Sequence, residues 1–198
     1  MSIVLVGSTS GSITLQEPAV AGTTVLDLPA VSGTILTTTS PKAGNVIQVV
    51  STTKTDTFSS NSTSFTDITG LSASITPTSS SSKILVLATV AISGSNVQTQ
   101  STLRLVRGST VIFAGDSAGS RQLGFYGTDP NTSNTSNITP QSISFLDSPA
   151  TTSSTTYKIQ MYSNSSSATF YINRAYDDPD QAYRTRTASS ITILEIAA

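Results

Sequence analysis

The stretch Lys83–Ile92, KILVLATVAI, decides the fold because both of its faces are apolar when it is read as a β-strand. Alternate side chains of a strand share a face, so the run presents isoleucine, valine and alanine on one side and leucine, threonine and alanine on the other. Such a strand needs cover on both sides, from the second sheet of a sandwich or from a neighbouring subunit. A buried helix would tolerate the same run, but the length of about ten residues, the β-branched content and the flanking Ser, Pro and Gly favour a central strand.

Serine and threonine dominate the composition, with 36 Ser and 33 Thr among 198 residues. Disordered chains are depleted in β-branched residues and usually rich in charge. This chain instead groups Ile, Val and Thr into short runs, and only 11 % of its residues are charged. The composition therefore favours exposed strand faces and turns over disorder.

The charge and the missing residue types exclude several classes of function. The net charge is −1 and no Lys/Arg cluster occurs, which argues against nucleic acid or an anionic membrane as a partner. No apolar run approaches the ~20 residues of a spanning helix, so no membrane insertion is expected. The chain has no His and no Cys, which removes a histidine base, a Ser-His-Asp triad and disulfides. We predict no cofactor, no resident metal and no enzymatic activity.

Most of the remaining chain reads as short strands separated by turns, which predicts an antiparallel β-sandwich or barrel. No convincing amphipathic helix occurs. Two hairpins are predicted, one across Arg107–Thr110 and one across the serine turn 163–167. The predicted strands besides Lys83–Ile92 are Val46–Ser51, Thr63–Ile68, Leu71–Ile75, Thr102–Val106, Val111–Ala114, Gln122–Tyr126, Gln141–Leu146, Tyr157–Tyr162, Ala168–Asn173 and Ser190–Ile196.

The N-terminus carries a short repeat, because LQEPAVAG at residues 15–22 returns as LDLPAVSG at residues 26–33. Each copy reads as a strand, a turn begun by Pro and closed by Gly, and a second strand. Units this short need neighbouring units or other chains to cover them. We predict an N-terminal β-repeat attachment segment over residues 1–41 and a β-sandwich head over residues 42–198, with a pair of hairpins packed on the head as the alternative. The candidate assembly residues are Leu15, Val20, Leu26, Leu28 and Val31.

The stretch RAYDDPDQAYRTR, residues 174–186, concentrates charge and aromatic rings in a chain that otherwise has few of either. Aromatic and Arg side chains anchor recognition surfaces, and Tyr, Asp and Arg together suit a sugar. The alternative is a solvated loop whose charges pair locally. The D-D-P-D spacing does not match a Ca²⁺ loop, and no second acidic cluster supports a glycosidase acid and base. The candidate recognition residues are Arg174, Tyr176, Asp177, Asp178, Asp180, Tyr183, Arg184 and Arg186.

Two parts of the sequence resemble bacteriophage virion proteins. The segment LQEPAVAGTTVLDLPAVSGTIL, residues 15–36, looks like the Pro/Gly-punctuated β-segments of tail fibres. The region 46–93, followed by LRLVRGSTVIFAGD at residues 103–116, resembles a module that recurs in phage structural proteins. These resemblances imply a virion protein whose partners are other capsid or tail proteins.

The strand order and the closing SSITILEIAA are similar to the tumour-necrosis-factor-like jelly roll and the complement-type globular head. That resemblance implies a compact homotrimer in which the first and last strands share an inner sheet near the threefold axis. Together the resemblances imply a trimeric surface fibre or spike, or a capsid decoration protein that cements the shell. The alternative is a carbohydrate-binding receptor-recognition module or a glycan-cleaving enzyme, with a host surface glycan as a further candidate partner.

Overall fold

The computed structural model describes residues 2–6, 10, 12–16, 41–94, 100–128 and 136–198. The chain divides into two units, Met1–Leu36 and Thr37–Ala198. The boundary predicted from the sequence lies a few residues later, after Pro41. None of the described residues belongs to a helix long and apolar enough to cross a membrane.

In the first unit, strand β1 (Ser2–Val6) pairs antiparallel with strand β2 (Ser12–Gln16). Residues 17–22 of the predicted first repeat and the whole of the second repeat lie outside the described residues.

The second unit consists of two antiparallel sheets packed against each other, which confirms the predicted all-β sandwich. The first sheet contains β3 (Val46–Lys54), β4 (Phe58–Ser60), β6 (Lys83–Gly94), β10 (Thr139–Asp147), β12 (Phe170–Ile172) and β13 (Ser189–Ile196). The second sheet contains β5 (Thr66–Ile75), β7 (Ser101–Arg107), β8 (Thr110–Phe113), β9 (Tyr126–Thr128) and β11 (Thr155–Ser163).

Strand β6 is the centre of the first sheet, as its sequence predicts. Strand β13 pairs with Lys83–Thr89 and β10 pairs with Ile84–Ile92, so these two strands occupy opposite edges of β6. The inner-face side chains of β6 are buried against the second sheet; they are Ile84, Val86, Ala88, Val90 and Ile92. The outer face of β6 is less well covered within the chain, since Leu87 is 39 % exposed.

The predicted strands Thr63–Ile68 and Leu71–Ile75 form a single strand, β5, in the structure. Gly70 adopts a φ of 80°, and the pairing register with β11 shifts between Lys158 and Gln160. A positive φ costs glycine little. The interruption between the two predicted strands, at residues 69–70, is therefore an irregularity within one strand. No turn separates two strands there.

The predicted hairpin between Tyr157–Tyr162 and Ala168–Asn173 is wrong. Strand β12 pairs with β4 and with the end of β6, in the opposite sheet from β11. The single hydroxyl proton of Ser163 is shared between the carbonyls of Ser165 (2.8 Å) and Ala168 (3.1 Å), and this arrangement forms a corner in place of a tight turn. The corner carries the chain from the second sheet to the first.

The predicted strand Gln122–Tyr126 begins later, as Tyr126–Thr128 (β9), and the chain just before it lies directly against β7 at Gly124. A Cβ atom on Gly124 would lie 2.3 Å from the carbonyl oxygen of Leu103. Only glycine fits there. Strand β4 was missed because its polar segment has no apolar periodicity. The predicted hairpin between β7 and β8 is confirmed.

A buried carboxylate joins the two sheets at one end of the core. Asp147 of β10 accepts hydrogen bonds from Arg107 Nη1 at 2.9 and 2.7 Å and from the Tyr157 hydroxyl at 2.7 Å. Burial and the bond to Asp147 raise the pKa of Tyr157 far above its usual value, so the phenol remains a donor. Arg107 and Tyr157 belong to the second sheet, and Asp147 therefore ties one sheet to the other.

A second buried carboxylate, Glu195 of β13, fixes the connection that precedes β6. Its oxygens accept hydrogen bonds from Gln48 Nε2 (2.6 Å) and from the backbone N–H and hydroxyl of Thr78 (2.7 Å each). Burial works to raise the pKa of Glu195, but these hydrogen bonds outweigh that effect and the pKa lies below its usual 4.5. The carboxylate is therefore held in its charged form.

We expect Glu195→Gln to reduce the acid sensitivity of the fold. Because the folded-state pKa of Glu195 lies below the unfolded value, its carboxylate stabilises the protein above about pH 4.5, and this stabilisation is lost as the pH falls through the folded-state pKa. Thermal unfolding between pH 7 and pH 3 should show a smaller loss of Tm for Glu195→Gln than for the wild type. An exposed control, Asp116→Asn, should behave like the wild type. Equal pH dependence of Glu195→Gln and wild type would contradict the assigned role.

We expect Val86→Ala to lower the free energy of unfolding by about 1.5–3 kcal/mol, because Val86 is fully buried and the lost methyl groups leave a cavity. The matched control is Val111→Ala, since Val111 lies on β8 and is 38 % exposed. It should cost less than about 1 kcal/mol. Urea unfolding measures both values, and equal losses would show that β6 does not carry the core.

Candidate functional site

The predicted recognition cluster lies on the connection between β12 and β13, residues 173–188. This connection leaves the first sheet at the gap between the two strands. Strand β12 pairs with Ile92–Gly94, whereas β13 pairs with Lys83–Thr89. Strand β10 already occupies the opposite edge at Ile92. Strands β12 and β13 therefore lie end to end along one edge of β6, and the connection emerges between them.

Asn173 fastens both ends of this connection. Its backbone N–H donates to the carbonyl of Ala91 (2.9 Å), and its side-chain Nδ2 donates to the carbonyl of Lys54 (2.8 Å). Its Oδ1 accepts from the Ser189 hydroxyl (2.6 Å), and its carbonyl accepts from the Thr187 N–H (3.2 Å). Asn173 is fully buried with a φ of 64°, a left-handed conformation that asparagine tolerates better than most residues.

Ion pairs organise the charged part of the connection. Asp178 has a side chain only 10 % exposed and contacts both Arg174 (Nε to Oδ2, 3.3 Å) and Arg186. Asp177 pairs with Arg184. All three arginines are thus engaged by two of the three aspartates, which shows that the charges pair locally.

Aromatic rings lie beside these ion pairs. The guanidinium of Arg174 lies 4.7 Å from the ring centroid of Tyr171, and that of Arg184 lies 5.2 Å from the ring of Tyr183. Tyr176 is 40 % exposed and Tyr183 is 72 % exposed. The connection therefore presents two phenol rings to solvent: Arg184 contacts the ring of Tyr183, and the ring of Tyr176 lies 6.0 Å from that of Tyr171.

A surface cavity of about 220 Å³ opens in the same connection. Within the part of the chain that the structure describes, the side chains of Asp180, Gln181 and Thr185 make no hydrogen bond. Their polar groups are available to a ligand. The cavity is lined by Asp178, Pro179, Asp180, Gln181, Arg184, Thr185 and Arg186.

The structure brings only part of the predicted recognition cluster to the cavity. The predicted residues that line it are Asp178, Asp180, Arg184 and Arg186. The others lie on the same connection without lining the cavity; they are Arg174, Tyr176, Asp177 and Tyr183. Gln181 and Thr185 were not among the predicted residues, because they have no charge or aromatic ring that distinguishes them in the sequence. Among the described residues, no group of three carboxylates could hold a metal ion.

Only one of the predicted assembly residues falls on the described part of the first unit. Leu15 lies in β2 and pairs with Ile3 of β1. The remaining predicted assembly residues lie outside the described residues; they are Val20, Leu26, Leu28 and Val31.

A second candidate surface is an apolar row on the outer face of the first sheet, which we call the outer band. It consists of Val49, Leu194, Leu85 and Leu146, which lie side by side across β3, β13, β6 and β10. Val49 is 56 % exposed and Leu146 is 54 % exposed. The sequence predicted that β6 needs outer cover, but it did not reveal which residues of other strands align with Leu85.

Hydroxyl pairs flank the outer band on the same face. Ser51 of β3 bonds Thr192 of β13 (2.8 Å), and Thr89 of β6 bonds Ser142 of β10 (3.1 Å). These hydroxyls satisfy one another across the strands. A partner could therefore cover this face without leaving them unpaired.

The outer face of the second sheet is built differently. Asp67 accepts hydrogen bonds from Lys158 Nζ (2.7 Å) and Gln160 Nε2 (2.6 Å), and Arg104 Nε donates to Gln160 (2.8 Å). Burial works to raise the pKa of Asp67, but the bonds from Lys158 and Gln160 outweigh it and the pKa lies below its usual value. The Arg104 guanidinium also lies 3.6 Å from the Phe65 ring centroid. This charged face is suited to water, in contrast to the outer band.

These features define an antiparallel β-sandwich protein with one polar, cavity-bearing connection and one apolar outer sheet face. No protein-family model matches the chain, and no curated protein matches it.

We expect Asn173→Ala to lower the free energy of unfolding by about 2–4 kcal/mol, because it removes buried hydrogen bonds and places alanine in a left-handed conformation. The matched control is Asn61→Ala: Asn61 is exposed and donates a single bond to the Ser166 carbonyl (2.8 Å). This control should cost less than about 1 kcal/mol. Urea unfolding compares the two.

Limited proteolysis adds a local readout for the same variants. The Asn173→Ala variant should be cleaved within residues 174–188 faster than the wild type, because both ends of the connection lose their anchor. Unchanged cleavage and unchanged stability would contradict the anchoring role of Asn173.

Proposed function

We propose that this chain is a structural protein of a bacteriophage virion, where it stands on the particle surface as a homotrimer of β-sandwich heads. The virion role rests on the resemblance of residues 15–36, 46–93 and 103–116 to phage structural proteins. The proposal covers a surface fibre or spike that meets the host and a decoration protein that cements the capsid. In both, residues 1–41 attach to other capsid or tail proteins and residues 42–198 form the exposed head.

The outer band is the observation that carries the assembly part of the proposal. Single exposed apolar side chains are ordinary, whereas a contiguous exposed patch marks an interaction site. Val49 and Leu146 each expose more than half of their surface, and they lie at the two ends of a row that also contains Leu85 and Leu194. A partner that covers this row removes apolar surface from water. This burial stabilises the complex by about 25 cal/mol per Å² of apolar surface.

Further copies of the same chain are the partner that fits this surface. Within the described residues, the face around the outer band carries one charged side chain, Lys83, which bonds the Ser148 hydroxyl (2.9 Å). Three such faces can therefore converge on a threefold axis without opposing like charges across most of their area. Four strands about 4.8 Å apart and about eight residues long give a face on the order of 500 Å² in projection. Because side chains project from the sheet, the solvent-accessible area of this face is larger than its projected area. It approaches the roughly 800 Å² per partner of a standard interface.

The charged connection supports recognition over glycan cleavage. A glycosidase needs one carboxyl group as an acid and a second as a base or nucleophile, both facing the substrate. Asp177 and Asp178 are instead engaged by arginines, which leaves Asp180 as the only carboxylate of the connection outside an ion pair in the described structure. The geometry therefore favours a binding surface carried by the head.

We expect the double variant Val49→Thr/Leu146→Thr to weaken self-association at least tenfold, because threonine keeps β-propensity while it makes the outer band polar. The matched control is Val111→Thr on the second sheet, which should associate like the wild type. Light scattering and sedimentation at micromolar concentrations measure the mass of all three proteins. A monomeric wild type, or a double variant that associates as strongly as the wild type, would contradict assembly through the outer band.

The virion role is tested on particles. Antibodies against the head should label the surface of purified phage in electron micrographs, and the protein should be present in those particles by mass spectrometry. A truncated protein that lacks residues 1–41 should fail to incorporate when it replaces the full chain. Particles that lack the protein would refute the virion role, and normal incorporation of the truncated protein would refute the attachment role of residues 1–41.

A further inference from the structure

The cavity in residues 178–186 combines a fixed frame with unused polar groups. Ion pairs hold Asp178, Arg184 and Arg186 in place, and the backbone N–H of Arg184 donates to the carbonyl of Gln181 (2.9 Å). The side chains of Asp180 and Thr185 border the same cavity and make no hydrogen bond within the described structure. Asp180, Gln181 and Thr185 are exposed, so a ligand in the cavity would replace the water that solvates their polar groups.

The charge balance of the connection selects a neutral ligand. Three arginines and three aspartates lie within residues 174–186, so the net charge of the stretch is zero. The guanidinium groups already contact carboxylates, and Asp180 would repel a further anion. A metal ion is disfavoured because no group of three carboxylates converges among the described residues. An apolar ligand is disfavoured because charged and amide groups dominate the lining.

The chemistry that remains is that of a neutral sugar. A carboxylate such as Asp180 accepts hydrogen bonds from two neighbouring hydroxyls, and an amide such as Gln181 both donates and accepts. Tyr183 is 72 % exposed but does not line the cavity, so the polar side chains of the lining make the contacts with the sugar. The volume of about 220 Å³ is below that of drug-sized pockets and limits the ligand to one sugar ring.

We propose that the cavity bordered by Asp180, Gln181 and Thr185 binds an uncharged sugar residue of a glycan. Asp180 holds a pair of hydroxyls, and Gln181 and Thr185 fix the orientation of the ring. The ion pairs of Asp178, Arg184 and Arg186 fix the position of these groups. The ion-paired side chains do not act as a catalytic acid or base. This site is independent of where the protein resides, so it goes beyond the proposed virion role.

The test is binding of the full-length protein to an array that contains neutral glycans of glucose, galactose, mannose and N-acetylglucosamine together with sialylated and sulfated glycans. We expect binding to at least one neutral glycan. Asp180→Asn should weaken that binding at least tenfold. The matched control, Asp116→Asn, changes an exposed aspartate outside the connection and should bind like the wild type. Equal Tm values verify that the variants are folded.

Three outcomes would overturn the proposal: no binding to any neutral glycan at millimolar sugar, binding to acidic glycans alone, or neutral-glycan binding that Asp180→Asn leaves intact. These outcomes leave the virion experiment unaffected, because that experiment measures location and incorporation. A protein absent from particles that still binds neutral glycans through Asp180 would remove the virion role and keep the sugar site.

Discussion

Burial of strand β6 is the constraint on which the rest of the structure depends. Its inner face has almost no exposed surface, and its two edges are paired with β13 and β10 over most of its length. A central strand with partners on both edges fixes the register of its neighbours, because a slip of one residue would turn every inward side chain outward. The alignment of Val49, Leu194, Leu85 and Leu146 follows directly from that register.

Asn173 lies at the gap between β12 and β13 and anchors the charged connection to the first sheet. Strands β12 and β13 lie end to end along β6, and the chain between them must leave the sheet there. Asn173 supplies hydrogen-bond partners for the backbone groups that the sheet leaves unpaired at the gap. The Ser189 hydroxyl also accepts a hydrogen bond from the backbone N–H of Ala91 (3.0 Å). The connection that carries the cavity is thus fixed to the most buried part of the fold, although the cavity itself is open to solvent.

Much of the fold could be predicted from the local sequence pattern. The alternation of a strand and the residues of a turn involve neighbours along the chain, so the sequence shows them directly. The central role of Lys83–Ile92, the β7–β8 hairpin and the closing strand are of this kind. The pairing of β12 was predicted wrongly because it depends on a corner at Ser163 that no hydrophobic pattern signals. The charged stretch 174–186 was recognised by composition, whereas Gln181 and Thr185 became candidates only when folding placed them beside the same cavity. The outer band could not be predicted, since its members come from four separate strands.

The most direct test of the account is an intermolecular distance measured on the outer face of the first sheet. The chain has no cysteine, so Ser144→Cys places one spin label per chain on that face, beside the outer band. Ser74→Cys places one on the exposed outer face of the second sheet. Pulsed dipolar spectroscopy should give a short, well-defined distance between labels at position 144 on neighbouring copies and a longer or undetectable one at position 74. A short distance at position 74 with none at position 144 would contradict the claim that the outer face of β6 is covered by another copy of the chain.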